Sequence, residues 1–300
     1  MRWGPPVPDK RDTLPSCPVC GGEGALWFAK EQRRYLKCSD CRSAYIAEGL
    51  LLNAAGQTIY EGDSEVFFED GNEDYYLSPT ALKIARKKAE IAHGFAPDGG
   101  RLLDIGAGFG HFVSAAAPYY DAEGLELSAR AAEWGRNTFG VKVASGTIVG
   151  DAPDIGDNFD VITSWDVIEH LDDPKAALMA ISARLKPGGH LILSTPDIGS
   201  LAAKLTGQGW WYLDPVQHVI LFNRNSLASL LQGAGFDVLD VTSMGHWYEL
   251  TYVFSRLSHL YRNGIIGRLS SGCAKVAAKG PQIFLPINPF DVMVLHARKK

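Results

Sequence analysis

No apolar run in this chain approaches the roughly eighteen residues that span a bilayer, and the opening MRWGPPVPDKRD has no apolar h-region like that of a secretory leader. A cytoplasmic protein is therefore expected. Positive charge is scarce as well: 29 Lys and Arg stand against 34 Asp and Glu, for a formal charge of -5 and a pI near 5.9. A broad phosphate-binding surface needs clustered Lys and Arg, so nucleic acid is disfavoured as a partner. Cysteine is limited to five, four of them in two close pairs within the first fifty residues, which favours metal thiolates over disulfides. The fifth, Cys273, reads as a small buried hydrophobe. Repeats and low-complexity tracts are absent. With 46% hydrophobic and 21% charged residues, the composition is that of a globular enzyme, and 300 residues allow a catalytic domain plus an accessory module.

Residues 15–48 carry Cys17-x-x-Cys20 and Cys38-x-x-Cys41 separated by seventeen residues, the two-pair spacing of a tetrahedral zinc site. Four thiolates fill the coordination sphere, so this zinc would be structural. Residues 1–48 are thus expected to form a zinc ribbon and 49–78, irregular and acidic, a linker and lid. From Ser78-Pro79, a plausible N-cap and N1 pair, a helix with Leu82, Ala85, Ala89 and Ala92 on one face leads into a domain over 79–300. Strand and helix then alternate through RLLDIG, HFVSAAAPYY, AEGLELS, ARAAEWGRNTFG, VKVAS, FDVITSW, DPKAALMAISARLKPGG and HLILSTP. This predicts an α/β fold with a doubly wound, mostly parallel sheet. Residues 245–289 read as a helical insertion before the last strand.

The strongest motif is LLDIGAGFGHF, where an apolar strand ends in Asp104 and turns through Gly106, Gly108 and Gly110 into a helix. Here the third glycine comes one residue earlier than in a dinucleotide-binding GxGxxG, which favours S-adenosylmethionine. Amides at the helix start suit the methionyl carboxylate, and Asp104 would orient the methionyl end. Twenty-two residues on, the strand AEGLELS brings Glu126, with Leu127 beside it, to where a carboxylate accepts hydrogen bonds from both ribose hydroxyls. Phe109 and Thr147 are candidates for the cofactor rim.

These segments, together with FDVITSWDVIEHLDDP and LKPGGHLILSTPD, resemble the ordered motifs of class I S-adenosylmethionine-dependent methyltransferases over residues 75 to 300, in particular the ubiquinone-biosynthesis O-methyltransferases. The attached ribbon resembles that of sugar C-methyltransferases. The resemblance implies a Rossmann-like seven-stranded sheet with an antiparallel last strand, cofactor binding by Asp104, the glycines and Glu126, and Trp165 and Asp166 beside the cofactor. It also implies that the acid-x-x-Glu-His stretch of Asp166, Glu169 and His170 can hold magnesium, for which carboxylates are suited.

Methyl transfer to a hydroxyl requires loss of a proton near neutral pH, a task suited to imidazole. His170, and His218 in GWWYLDPVQHVILFN, are the candidate general bases, each with the alternative of a core or capping histidine. Trp210, Trp211 and Tyr212 would roof an acceptor pocket or pack in the core. The expected reaction is methylation of a hydroxyl, or secondarily a carbon, on a small-molecule acceptor: a sugar, nucleotide-sugar, glycan or quinone-like compound. RNA methylation guided by the ribbon and non-catalytic cofactor binding are the alternatives. Peripheral contact with a membrane surface through GSLAAKLTGQGWWYL or TYVFSRLSHLYRNGIIGRL is compatible with each.

Overall fold

The computed structural model describes residues 14–50, 52, 58, 61, 79–150, 153–251, 253–254, 258, 264–277 and 283–300. Most of the expected linker, and Ser78 with it, lies outside the described residues. The first described elements are a hairpin of β1 (Gly24–Lys30) and β2 (Arg33–Cys38), followed by β3 (Ala44–Ile46). Glu31 and Gln32 close the hairpin with φ of 51° and 65°, the two-residue turn whose twist matches that of the strands.

Helix α1 (Pro79–Phe95) buries Ala85, Ala89 and Ala92, while Leu82, expected on the same face, is exposed. The alternation then runs β4 (Arg101–Ile105), α2 (His111–Ala116), β5 (Asp121–Glu126), α3 (Ala129–Phe139), β6 (Lys142–Ser145) and β7 (Phe159–Trp165). Ser128 caps α3 by accepting from the Ala131 amide, and Gly140 ends it at φ 66°. A 3₁₀ turn (Ile168–His170) precedes α4 (Pro174–Arg184), which starts with Asp173 as N-cap and Pro174 at N1. The expected Pro-Gly-Gly stop falls just beyond this helix, inside β8 (Leu185–Pro196), where the pairing with β7 jumps from Phe159–Leu185 to Val161–His190. Next come α5 (Leu201–Thr206), β9 (Ile220–Leu221), α6 (Arg224–Gly233) and β10 (Phe236–Ser243). Finally, β11 (His246–Glu249), α7 (Ile265–Ala277), β12 (Phe284–Ile287) and β13 (Val292–Lys299) complete the described elements.

Seven strands form the main sheet in the order β10-β13-β8-β7-β4-β5-β6; β13 alone runs antiparallel to its neighbours. Alternation along β4 supplies both faces. Leu102 packs with Ala89, Ala92 and Phe112 on one side, and Leu103 with Leu178, Ile181 and Leu227 on the other. Each of the leucine, isoleucine and phenylalanine side chains, fully removed from water, contributes roughly 1.5–3 kcal/mol. This is the doubly wound Rossmann-like arrangement, and it places the strands' carboxyl ends along one edge.

The N-terminal strands join this body. β3 pairs antiparallel with β9, giving a second sheet in the order β1-β2-β3-β9, and Leu36, Cys38 and Tyr45 share one core with Leu103, Phe222 and Leu227. Trp210 is buried among Tyr35, Ala44, Ile46 and Leu221, with its indole N–H on Asp291 Oδ2 at 3.2 Å. It packs in the core, the second of its two expected roles, and does not line the cavity described below. Within 245–289, the ends pair as β11 and β12 around α7, a pairing that the helical reading did not foresee. Cys273, expected to be buried, is exposed on α7.

Candidate functional site

A cavity of about 500 Å³ opens at the carboxyl edge of the main sheet, lined by the ends of β4, β5 and β7 together with α1 and the turn holding His218. Asp104, Gly106, Gly108, Phe109, Glu126, Leu127, Thr147, Trp165, Asp166, His170 and His218 all line it. Gly110 does not. At φ 73° it is the N-cap of α2, and a Cβ there would meet Val141 at 2.9 Å, so this glycine serves close packing of the loop.

The other two glycines differ in kind. A Cβ on Gly106 would strike Val167 Cγ2 at 2.4 Å, whereas Gly108, at φ 52°, faces open space within the cavity. Glu126 fixes this loop: its Oε2 accepts from the Gly108 amide at 2.7 Å and its Oε1 from the Ser128 amide at 2.9 Å. Asp104 is fully enclosed and accepts from the Thr163 hydroxyl at 2.7 Å. Burial raises its pKa to about 7 despite that hydrogen bond and the Lys88 charge.

Asp166 closes the end of β7 at φ 59°, a conformation that costs a non-glycine residue energy and is found preferentially at functional sites. It is held by Ser194 Oγ at 2.7 Å and by Lys88 Nζ at 3.0 Å. Lys88 also lies 5.4 Å from the centre of the Trp165 ring. Sequence reasoning missed Lys88, along with His111, Gln217 and the apolar wall of Ala81, Ile84, Ala85 and Leu171. The helical face of α1 carried a signal for the wall, but Lys88 stood within a run of surface-like charges.

The two histidines meet. Their rings lie 5.0 Å apart, and one donor atom from each, with one carboxylate oxygen of Glu169, lie within 4.8 Å of one another. His170 Nδ1 faces the Gln217 carbonyl at 2.7 Å and His218 Nδ1 faces the Tyr212 carbonyl at 2.7 Å. A carbonyl only accepts, so each Nδ1 carries the proton and each Nε2 keeps its lone pair. Loss of water contact pushes both imidazoles below their ordinary pKa, so both are neutral at pH 7. Glu169 is buried; burial first and neighbouring Asp166 second push it well above the usual carboxylate range. Its Oε2 accepts from Thr195 at 2.9 Å, and its Oε1 has no hydrogen-bond partner. The magnesium site expected from Asp166, Glu169 and His170 does not assemble in that form, because Lys88 and Ser194 hold Asp166 and the group that gathers is two imidazoles and one carboxylate. So nitrogen-rich a set fits a hard oxygen-seeking cation poorly.

The four N-terminal cysteines converge separately, with Sγ–Sγ distances of 3.6 Å for Cys17–Cys41 and 3.5 Å for Cys20–Cys38. Both are far too long for a disulfide and close to the ~3.8 Å edge of a tetrahedron with ~2.3 Å zinc–sulfur bonds. The Cys17 hydrogen bond holds the Cys41 thiol down at about 4, while Cys17 itself is pushed up, so the pair favours one thiolate.

Residues 76–241 match the family model described as a methyltransferase domain. The chain is 30% identical over 191 residues to an O-methyltransferase of Penicillium expansum, an alignment covering 57% of this chain and 66% of that one. It is 31% identical over 182 residues to a ubiquinone biosynthesis O-methyltransferase of Cereibacter sphaeroides, covering 57% and 72%. A solved S-adenosylmethionine-dependent methyltransferase of Thermotoga maritima shares the fold, with a TM-score of 0.50 at 22% identity over 78% of this chain and 96% of its own. The glycine loop that ends β4, the acid that ends β5 and this match over more than half of the sequence have one explanation: the chain belongs to the methyltransferase-domain family and is a class I S-adenosylmethionine-dependent methyltransferase.

Proposed function

We propose that this methyltransferase moves the methyl group of S-adenosylmethionine to a hydroxyl oxygen of a small, largely apolar acceptor of the quinone-like or polyhydroxy-aromatic kind. The observation that carries the reading is the pair of neutral imidazoles with Nε2 lone pairs in the same cavity as the glycine loop. The apolar wall of Ala81, Ile84, Ala85 and Leu171, and the oxygen-directed names of the relatives, support the acceptor class.

In this reading S-adenosylmethionine lies along the turn of Gly106 to Gly108, Asp104 faces the methionyl ammonium, and the Glu126 carboxylate accepts from the ribose hydroxyls. Phe109, Leu127 and Thr147 border the adenosyl moiety, and Trp165 and Asp166 the sulfonium side. The raised pKa of Asp104 suits the role, since a bound ammonium restores its charge. His218 Nε2 removes the hydroxyl proton as the acceptor oxygen attacks the methyl carbon in line with the breaking carbon–sulfur bond. The electron pair of that bond stays on sulfur, the methylated acceptor and S-adenosylhomocysteine leave, and the proton returns from His218 to solvent. His170, anchored by the Gln217 carbonyl, holds the neighbouring position and is the second base candidate. Proximity supplies the remaining rate enhancement.

We further propose that Cys17, Cys20, Cys38 and Cys41 hold one structural zinc ion, which would fix the two knuckles against β9 and leave no open position for chemistry. The experiment for the base follows labelled methyl from S-adenosylmethionine into a catechol probe. His218→Ala lowers turnover by about 10²–10⁴-fold with cofactor affinity kept; full activity of both His218→Ala and His170→Ala would remove the base assignment.

A further inference from the structure

The insertion between β10 and β13 differs in charge from the rest of the chain. Residues 250–290 contain no Asp or Glu but five basic residues, Arg256, Arg262, Arg268, Lys275 and Lys279. The remainder holds 24 basic against 34 acidic residues, so a net +5 segment sits in a chain that is otherwise -10.

Helix α7 within it is inside out. It buries Gly267 and Ser270 and half-buries Ser271, Ala274 and Ala277, while Ile265 is 76% exposed, Leu269 65% and Val276 74%, with Gly272 and Cys273 exposed beside them. A helix packed on a water-soluble body normally does the reverse. At about 100° per residue, these three exposed apolar side chains fall within about 40° of arc, and Arg268 and Lys275 flank them along one side of the stripe. Both cations are exposed. Farther along the chain, Ile283, Leu285 and Phe290 are also exposed. An apolar stripe with cations along its edge matches an interfacial helix, in which the apolar side chains enter the acyl boundary and the cations stay among the headgroups.

We propose that α7 is a docking surface for an anionic lipid bilayer. Charge selects this occupant: the patch attracts an acidic headgroup layer and repels a second copy of itself. No described helix is long and apolar enough to cross a membrane, so contact is peripheral. The location fits an apolar acceptor held in a bilayer, since β11, at the entry to the insertion, lies against α1, and α1 lines the cavity. The docking surface itself does not depend on which acceptor is used.

The test is co-sedimentation of the full chain with vesicles of phosphatidylcholine alone and of phosphatidylcholine with an equal part of phosphatidylglycerol. Wild type pellets with the anionic vesicles at low salt and at least fivefold less with neutral ones. Ile265→Glu/Leu269→Glu lowers the pelleted fraction at least fivefold, and the milder Arg268→Gln/Lys275→Gln lowers it while S-adenosylmethionine affinity stays at the wild-type value, which shows that the variant is folded. Absence of wild-type pelleting, equal pelleting of the variants, or a dimer that dissociates on Ile265→Glu/Leu269→Glu without any vesicle binding would each overturn the proposal.

Discussion

The Ile46 amide donates to the Val219 carbonyl at 2.9 Å, tying the last ribbon strand to the residue that follows His218. The Val219 amide in turn donates to the Glu169 carbonyl at 2.9 Å, so one residue connects the ribbon, the candidate base and the buried acid. The Asn223 side-chain amide also donates to the Cys41 carbonyl at 2.8 Å while its oxygen caps α6. The cysteine knuckle is therefore built into the catalytic body.

This connection makes metal removal a test of more than the ribbon. Chelation under denaturant-free conditions is expected to lower the melting temperature by several degrees and to reduce turnover at saturating S-adenosylmethionine, because β9 loses its partner strand. Metal analysis of the purified chain should give one zinc per chain. Two per chain would assign a second ion to Glu169, His170 and His218 and replace the base reading with a metal one.

Asn223→Ala isolates the same joint without touching the cysteines. It removes a capping box and the contact to Cys41, and should cost about 1–2 kcal/mol in urea unfolding, with the zinc content unchanged. A change within experimental error would mean that the joint carries no stability.

Lys88 bridges α1 to Asp166 in a partly enclosed ion pair beside the Trp165 ring. Lys88→Ala leaves the positive-φ Asp166 without its cation, and should raise the Kd for S-adenosylmethionine about tenfold, the equivalent of ~1.4 kcal/mol. Titration calorimetry reads this directly, and an unchanged Kd would remove Lys88 from the cofactor site.

The sequence pattern carried the α/β alternation, the glycine loop and Glu126 because each is local: a strand, a turn and a carboxylate at fixed spacing. The cysteine set was equally legible from its two short pairs. What stayed hidden depends on distant parts of the chain. β9 is two residues long and exists because β3 lies beside it, and Lys88 acquires a role only across the 78 positions that separate it from Asp166. Gly110 shows the limit of a motif, since the same GxGxG that marks the loop uses its third glycine for packing. The resemblance groups Asp166 with Glu169 and His170, but the left-handed backbone at Asp166 and the 3₁₀ turn after it go with a carboxylate that pairs with Lys88 instead.

The pH dependence of turnover follows from the imidazole shifts. Burial, with His170 as the neighbouring group, lowers the pKa of His218, and a base acts in its deprotonated form. Activity is therefore flat through neutral and mildly alkaline pH and falls only on the acid side, below the ordinary imidazole pKa of about 6.5. A limb centred above that value in the kcat profile contradicts His218 as the base.

In the proposed reaction one cavity divides its labour between a donor site at the β4 and β5 ends and a proton-accepting site at His218. Calorimetric titration of S-adenosylmethionine into wild type, Gly108→Val and His218→Ala tests it most directly. The expected result is micromolar binding to wild type, loss of detectable binding in Gly108→Val, whose side chain fills open space in the loop at a disfavoured φ, and a Kd within about twofold of wild type in His218→Ala. Retained binding in Gly108→Val, or equal loss in His218→Ala, would contradict that division.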